Sequence, residues 1–123
     1  MSGKARYFFD TYAIIEILND NSSYTRYKEV SMITGLLNIG ELVYWMLREH
    51  KKIKANLVNE LKKPMLDVGF EDIIEGMKFK YQHIKKKFSF VDCVGYIMAS
   101  RRDLIFVTGD KAFKDMPNVE FVK

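Results

Sequence analysis

The sequence has few of the residues that crosslink a chain or interrupt its packing. Its 123 residues include one cysteine, Cys93, and two prolines, Pro64 and Pro117. A single cysteine excludes an intramolecular disulfide and cannot by itself form a thiolate zinc site, so the folded state depends on a hydrophobic core. We interpret Cys93 as a small buried apolar residue of that core.

Long apolar runs, linkers and repeats are also missing. No run of about 18 consecutive apolar residues occurs, and the first residues lack the basic, apolar and small-residue order of a secretory signal. We therefore expect a cytoplasmic protein without a membrane segment. Because no Gly/Ser-rich stretch, low-complexity segment or repeat divides the chain, we predict a single domain over residues 1–123.

The composition is that of a globular chain with a small positive charge. Hydrophobic residues make up 48% and charged residues 29%, which excludes a disordered tail protein. Lys and Arg number 20 against 16 Asp and Glu, a net charge of +4. This balance favours approach to a polyanion such as nucleic acid, although solubility alone explains a charge of this size.

The first half of the chain predicts strands alternating with helices. Residues 6–9 form a short aromatic run typical of a buried strand, and residues 12–18 show helical spacing. Residues 27–34 fit either type, and we favour a short strand. Asn38 is a candidate N-cap for a helix that continues to about His50.

The second half predicts three helices and two strands. Helical spacing covers residues 53–63 and 71–87, and Ser89 caps a third helix. Apolar strands follow at 104–107 and 119–122. This alternation predicts a three-layer α/β/α domain around a central, mostly parallel sheet of four to five strands.

Four carboxylates are predicted to meet at one edge of this sheet. Asp10 and Asp110 directly follow strands, while Glu41 and Asp92 occupy the first turns of their predicted helices, and both positions belong to the carboxyl edge of a parallel sheet. Each one alone is explained by a turn or a helix cap. Together, in apolar surroundings, they repel one another unless a divalent cation or protons compensate the charge.

The ligand type indicates which cation would bind. All candidate ligands are hard oxygens, and neither His50 nor His83 lies near these motifs. Oxygen ligands favour Mg²⁺ or Mn²⁺ over Zn²⁺.

The order and spacing of these motifs closely resemble the PIN domain over nearly the whole chain. The matching segments are Phe-Phe-Asp10-Thr, Leu-Asn-Ile-Gly-Glu41-Leu, Ser-Phe-Val-Asp92-Cys-Val and Phe-Val-Thr108-Gly-Asp110-Lys. The resemblance implies a small α/β domain that hydrolyses phosphodiester bonds of single-stranded RNA with Mg²⁺ or Mn²⁺. It also implies the toxin of a VapBC-type toxin–antitoxin pair, an antitoxin partner and a homodimer.

The same resemblance implies a role for each site residue. Asp10, Asp92 and Asp110 match the metal ligands, and Glu41 matches the residue that orients or deprotonates the attacking water. Three further residues match supporting positions or neighbour them: Thr108, Thr11 and Asn38.

Basic and aromatic residues are candidates for binding. Lys111, Lys114 and Arg6 are candidates for contacting the RNA backbone, with Arg101 and Arg102 as further ones. We expect Tyr81 and Phe88 to pack in the core rather than to bind bases. Three residues of the second helix could serve an interface, but core packing is the more common role: Tyr44, Trp45 and Met46.

The sequence is also compatible with other functions. PIN domains also act in RNA processing, and a non-catalytic module could keep the fold to bind RNA or protein. A haloacid dehalogenase-type enzyme is disfavoured because Tyr12 stands where its second aspartate is needed, and a receiver domain because Asp10 has no acidic neighbour. An isolated minimal domain is the usual layout of the toxins, which favours that reading.

Overall fold

A computed structural model describes residues 6–53 and 55–123. Three parallel strands form the central sheet in the order β1-β2-β3: β1 Tyr7–Phe9, β2 Ile105–Thr108 and β3 Val119–Phe121. The first strand of the chain therefore pairs with a strand nearly a hundred residues later, which a parallel sheet with helical crossovers allows.

In the part of the chain that the structure describes, five α-helices cover the two faces of the sheet. Two of them, α4 and α5, pack on one face, and the other three pack on the opposite face. Within the described residues no helix is both long enough and apolar enough to cross a membrane. The helices are α1 Thr11–Leu18, α2 Leu36–Arg48, α3 Ala55–Lys62, α4 Phe70–Gln82 and α5 Phe90–Arg101.

Alternation along the strands produces two separate cores. Phe8 and Phe106 pack in one hydrophobic cluster, while their neighbours Phe9 and Val107 pack in the other. Successive side chains of a strand point to opposite faces, so a sheet buried on both sides needs apolar residues at every position. This arrangement confirms the predicted α/β class with a parallel sheet between helical layers.

The segment at 27–34 differs from the favoured prediction of a strand. Residues Ser22–Glu29 form a 3₁₀ helix, whose i, i+3 spacing places Tyr24 and Tyr27 on one side. Their hydroxyls donate to the Val122 carbonyl and the Glu120 carboxylate, which ties the segment to β3. Strand-like pairing beside β1 is reduced to a single parallel bridge between Phe8 and Ile33.

Two helix boundaries also differ from prediction. Gly35, not Asn38, is the N-cap of α2, and Asn38 is buried inside the helix. The helix predicted over 71–87 ends at Gln82, and a short 3₁₀ turn follows. The chain has to turn there because Phe88 returns into the core and stacks on Phe113 at a centroid distance of 4.0 Å.

A buried ion cluster joins α4 to α5, and sequence patterns did not reveal it. The carboxylate of Asp72 is fully buried and accepts from Arg101 Nη1 at 2.8 Å and Arg102 Nη2 at 2.9 Å. The hydrogen bond from Arg102 is the largest cause that lowers the pKa of Asp72. Both guanidinium groups hold this carboxylate, so the structure gives Arg101 and Arg102 a role in joining α4 to α5.

Candidate active site

Asp10 lies where β1 ends and α1 begins. As the N-cap of α1, its carboxylate accepts the backbone N–H of Ala13 at 2.7 Å. The side chain is only 2% exposed. A helix cap thus explains its local position, as the sequence suggested, but places a carboxylate almost entirely out of water.

Asp110 follows β2 and is linked to Asp10 through Thr108. The backbone N–H of Asp110 donates to Thr108 Oγ1 at 3.0 Å, and the Asp110 carboxylate accepts from the N–H of Ala112 at 2.9 Å. The hydroxyl of the fully buried Thr108 hydrogen-bonds the Asp10 side chain. The predicted supporting residue Thr108 therefore lies between the two aspartates.

Glu41 is held by a short chain of hydrogen bonds between α1 and α2. The hydroxyl of Thr11 donates to Glu41 Oε1 at 2.6 Å, and the Asn38 amide donates to Thr11 Oγ1 at 3.2 Å. Asn38 thus supports Glu41 through Thr11 rather than directly. Since α2 begins at Leu36, Glu41 lies in its second turn.

Asp92 forms a capping box at the start of α5. Its N–H donates to Ser89 Oγ at 3.1 Å, and its carboxylate accepts the N–H of Ser89 at 3.4 Å. This geometry directs the Asp92 carboxylate towards the helix N-terminus and the same sheet edge as Asp10.

Burial and mutual repulsion couple the four carboxylates. The pKa of Asp10 is raised to about 7, mainly by burial and to a smaller extent by the charges of Asp92 and Asp110. Burial also raises the pKa of Asp92, with added repulsion from Asp110 and Glu41. The predicted residues Asp10, Glu41, Asp92 and Asp110 therefore form one electrostatic cluster.

The donor set of this cluster fits a hard divalent cation. All four groups offer oxygen atoms, and their repulsion is the kind that a cation relieves. Among the described residues, no three Asp, Glu, His or Cys side chains converge into a ready-made metal cage.

The comparison with known families agrees with this geometry. The PIN domain model matches residues 7–119, which is most of the chain. The chain belongs to the PIN domain family. PIN domains are generally nucleases, and PIN nucleases generally depend on a divalent metal.

Several solved structures share the PIN fold with this chain. A toxin–antitoxin complex from Klebsiella pneumoniae has a TM-score of 0.74 at 14% identity, covering 93% of this chain and 95% of that one. The sarcin-ricin loop cleaving toxin VapC20 of Mycobacterium tuberculosis has a TM-score of 0.77 at 15% identity, covering 95% and 99%. A protein from Pyrobaculum aerophilum has a TM-score of 0.62 at 17% identity, covering 95% and 90%. No curated protein sequence matches significantly.

The predicted basic contacts lie in different places on this PIN domain. Lys111 directly follows Asp110 and is exposed, and Lys114 lies over the Phe121 ring at 5.6 Å. Arg6 precedes β1, so it lies at the amino edge of the parallel sheet, opposite Asp10. The structure therefore brings Lys111 to the carboxylates and does not bring Arg6 there.

A groove with aromatic walls opens beside the carboxylates. It has a volume of about 400 Å³ and lies between α1 and α2, with Glu41 and Asp92 in its lining. Tyr44 in this groove is exposed, Trp45 is half-buried and Met46 is buried. The prediction of core packing is therefore confirmed for Met46 and Phe88. It is wrong for Tyr44 and Tyr81, which are exposed.

Tyr12 packs against the turn that carries Asp110. A Cβ atom added to Gly109 would overlap the Cδ1 and Cε1 atoms of the Tyr12 ring. Glycine is needed here because of this close approach, since any side chain at residue 109 would collide with the Tyr12 ring. No local sequence signal indicated this contact.

Substituting Gly109→Ala is expected to destabilise the fold by about 1–3 kcal/mol because the ring has to move. In a Tyr12→Ala background the same change is expected to cost much less, since the obstructing ring is gone. Chemical denaturation of the four proteins measures this coupling. Gly40→Ala is the matched control because nothing lies within 4 Å of an added Cβ there. Equal costs in both backgrounds would disprove the contact.

Proposed function

We propose that this PIN domain is a metal-dependent endoribonuclease that hydrolyses phosphodiester bonds of single-stranded RNA. The observation that carries the proposal is the electrostatic coupling of Asp10, Asp92, Asp110 and Glu41, with Asp10 buried and its pKa near neutrality. Perturbed carboxylates beside an open groove are typical of functional sites rather than of helix caps. Family membership supplies the reaction class.

Three aspartates would hold the cation, which we propose to be Mg²⁺ or Mn²⁺. Asp10, Asp92 and Asp110 share one edge of the sheet and repel one another. When bound, the cation supplies positive charge that polarises the scissile phosphate and acidifies the attacking water. Because burial raises the pKa of Asp10 to about 7, this carboxyl group would release its proton when it becomes a ligand.

We propose that Glu41 orients the attacking water and accepts its proton. The Thr11 hydroxyl already occupies Oε1, which orients the carboxylate and leaves Oε2 to accept a hydrogen bond. Asn38 holds Thr11 in turn. A carboxylate fixed in this way is suited to orient a water molecule and accept its proton.

Exposed lysines next to the cluster would hold the RNA backbone. Lys111 adjoins Asp110, and Lys86 Nζ donates to the Ala112 carbonyl at 3.1 Å, which brings a second ammonium group to the same turn. Lys114 directly follows this 3₁₀ turn, Lys111–Phe113. Such contacts position a phosphate chain without reading its sequence.

In the cell, we propose that the protein acts as the toxin of a VapBC-type pair, with an antitoxin partner and as a homodimer. The fold shared with a Klebsiella toxin–antitoxin complex and with a mycobacterial toxin supports this role. Light scattering at micromolar concentration checks the dimer, and a monomer there would contradict it.

Incubation of the purified protein with a mixed-sequence single-stranded RNA tests the proposed reaction. We expect cleavage with Mg²⁺ or Mn²⁺ and none with EDTA. Binding of the RNA without cleavage in either metal would contradict the proposal and favour a non-catalytic binding module.

A further inference from the structure

One face of α2 leads away from the carboxylates along the groove. Glu41, Tyr44, Trp45 and Arg48 are spaced at i, i+3, i+4 and i+7 and line the same groove, as this helical period requires. From Glu41 to Arg48 the helix rises about 10 Å. The groove therefore has an acidic end at the site and a cationic end at Arg48.

The opposite wall comes from α1 and contacts the turn that carries Asp110. Tyr12 and Ile15 line it, and the Tyr12 ring rests on Gly109. Asp92 also lines the groove, at its acidic end. Occupation of this groove therefore places a ligand in contact with the same residues that surround the reaction centre.

Both tyrosines of the groove are exposed to solvent. Tyr44 is 64% exposed and Tyr12 45%, and the Arg48 guanidinium lies over the Tyr44 ring at 5.6 Å. Flat aromatic faces next to a guanidinium are the surface on which unpaired bases stack in single-stranded RNA complexes. An arginine at the far end adds a donor for the neighbouring phosphate.

We propose that this groove is a base-stacking subsite for one unpaired nucleobase adjoining the scissile phosphate. Tyr44 supplies the stacking face, Tyr12 the opposing wall, and Arg48 binds the phosphate that follows. A paired base exposes its edge and not its face, so a duplex does not enter. The inference rests on the proposed function, because it makes the same site selective for single strands.

The position of the tryptophan provides a direct readout. Trp45 lines the groove and is the single tryptophan of the sequence, so its fluorescence reports what enters. The experiment uses the Asp10→Asn protein, to prevent cleavage, with three probes: a short single-stranded RNA, its duplex, and an abasic strand of the same length. We expect quenching by the single strand alone. Equal responses to the single and abasic strands would overturn the proposal.

Variants of Tyr44 separate stacking from charge. Tyr44→Leu is expected to weaken single-strand binding about tenfold, while Tyr44→Phe keeps the ring and retains binding. Tyr81→Leu is the matched control because Tyr81 is also exposed, at 78%, but lies on α4 outside the groove. Unchanged binding by Tyr44→Leu would overturn the subsite, and a protein partner would then be the better occupant of the groove.

The two proposals can fail separately. If the wild-type chain cleaves RNA with Mg²⁺ and Tyr44→Leu shows the same KM and kcat, the subsite is wrong and the nuclease stands. If no RNA is cleaved and the single strand still quenches Trp45 in a Tyr44-dependent way, the subsite stands and the reaction is wrong.

Discussion

Asp10→Asn is expected to reduce metal-dependent RNA cleavage by more than about a hundredfold, because a neutral amide is a poor ligand for a hard cation. The substitution keeps the local hydrogen bonding of the helix start. An asparagine side chain keeps an oxygen that can accept the N–H of Ala13, so the cap of α1 survives. The loss of rate therefore reports the missing charge. Single-turnover cleavage assays with Mg²⁺ and with Mn²⁺ measure it.

The matched control for this loss is Asp103→Asn. Asp103 lies exposed before β2, at the opposite edge of the sheet, and its backbone φ of 55° suits asparagine. We expect it to cleave RNA at the wild-type rate. Activity of Asp10→Asn within a few fold of Asp103→Asn would rule out a metal-ligand role for Asp10.

The same Asp10→Asn substitution is expected to stabilise the metal-free protein at about pH 8 by about 4 kcal/mol. Asp10 is almost fully buried, and its pKa rises from 3.8 to about 7 on folding. The folded state therefore binds a proton that the unfolded state releases, and keeping the charge buried at high pH costs free energy. Asparagine removes this cost. A protein that is less active and more stable shows that the buried charge serves a function.

The stability difference between Asp10→Asn and the wild type is expected to depend on pH. The stability that wild type gains from protonated Asp10 is complete below about pH 3.8 and is lost as pH rises through about 7. The advantage of Asp10→Asn in EDTA should therefore grow over this window. Adding Mg²⁺ should raise the melting temperature of the wild type and not of the variant. Denaturation at several pH values measures both, and a pH-independent difference would contradict the assigned burial of charge.

Local patterns in the sequence predicted the elements that bear the site. Apolar runs that end at Asp10 and at Thr108 mark two strand ends, and Ser89 with Asp92 marks a helix start; each is a short-range preference of the backbone. Parallel strands bring their carboxyl ends to one edge, so the meeting of Asp10, Asp92 and Asp110 followed from topology. Thr108, in contrast, was predicted as a supporting residue from the resemblance to the PIN domain and not from a local pattern.

Contacts between distant residues were beyond the reach of such patterns. Residues 27–34 fit either a strand or a helix by sequence, and a strand was the favoured prediction. The hydrogen bonds of Tyr24 to Val122 and of Tyr27 to Glu120 hold the chain before and at Tyr27 in a 3₁₀ segment instead. The burial of Asp72 depends on two arginines that lie 29 and 30 residues later.

By itself, then, the sequence determined the α/β class and the places of the four carboxylates after strands and near helix starts, because these depend on local periodicity and on strand ends. The tertiary structure alone decided how deeply Asp10 is buried and that the Thr11 hydroxyl donates a hydrogen bond to Glu41. It also decided that Tyr12 packs against Gly109 beside an open aromatic groove. Burial, pKa and groove shape depend on how helices pack across the sheet, and packing is a sum of long-range contacts that no short segment encodes.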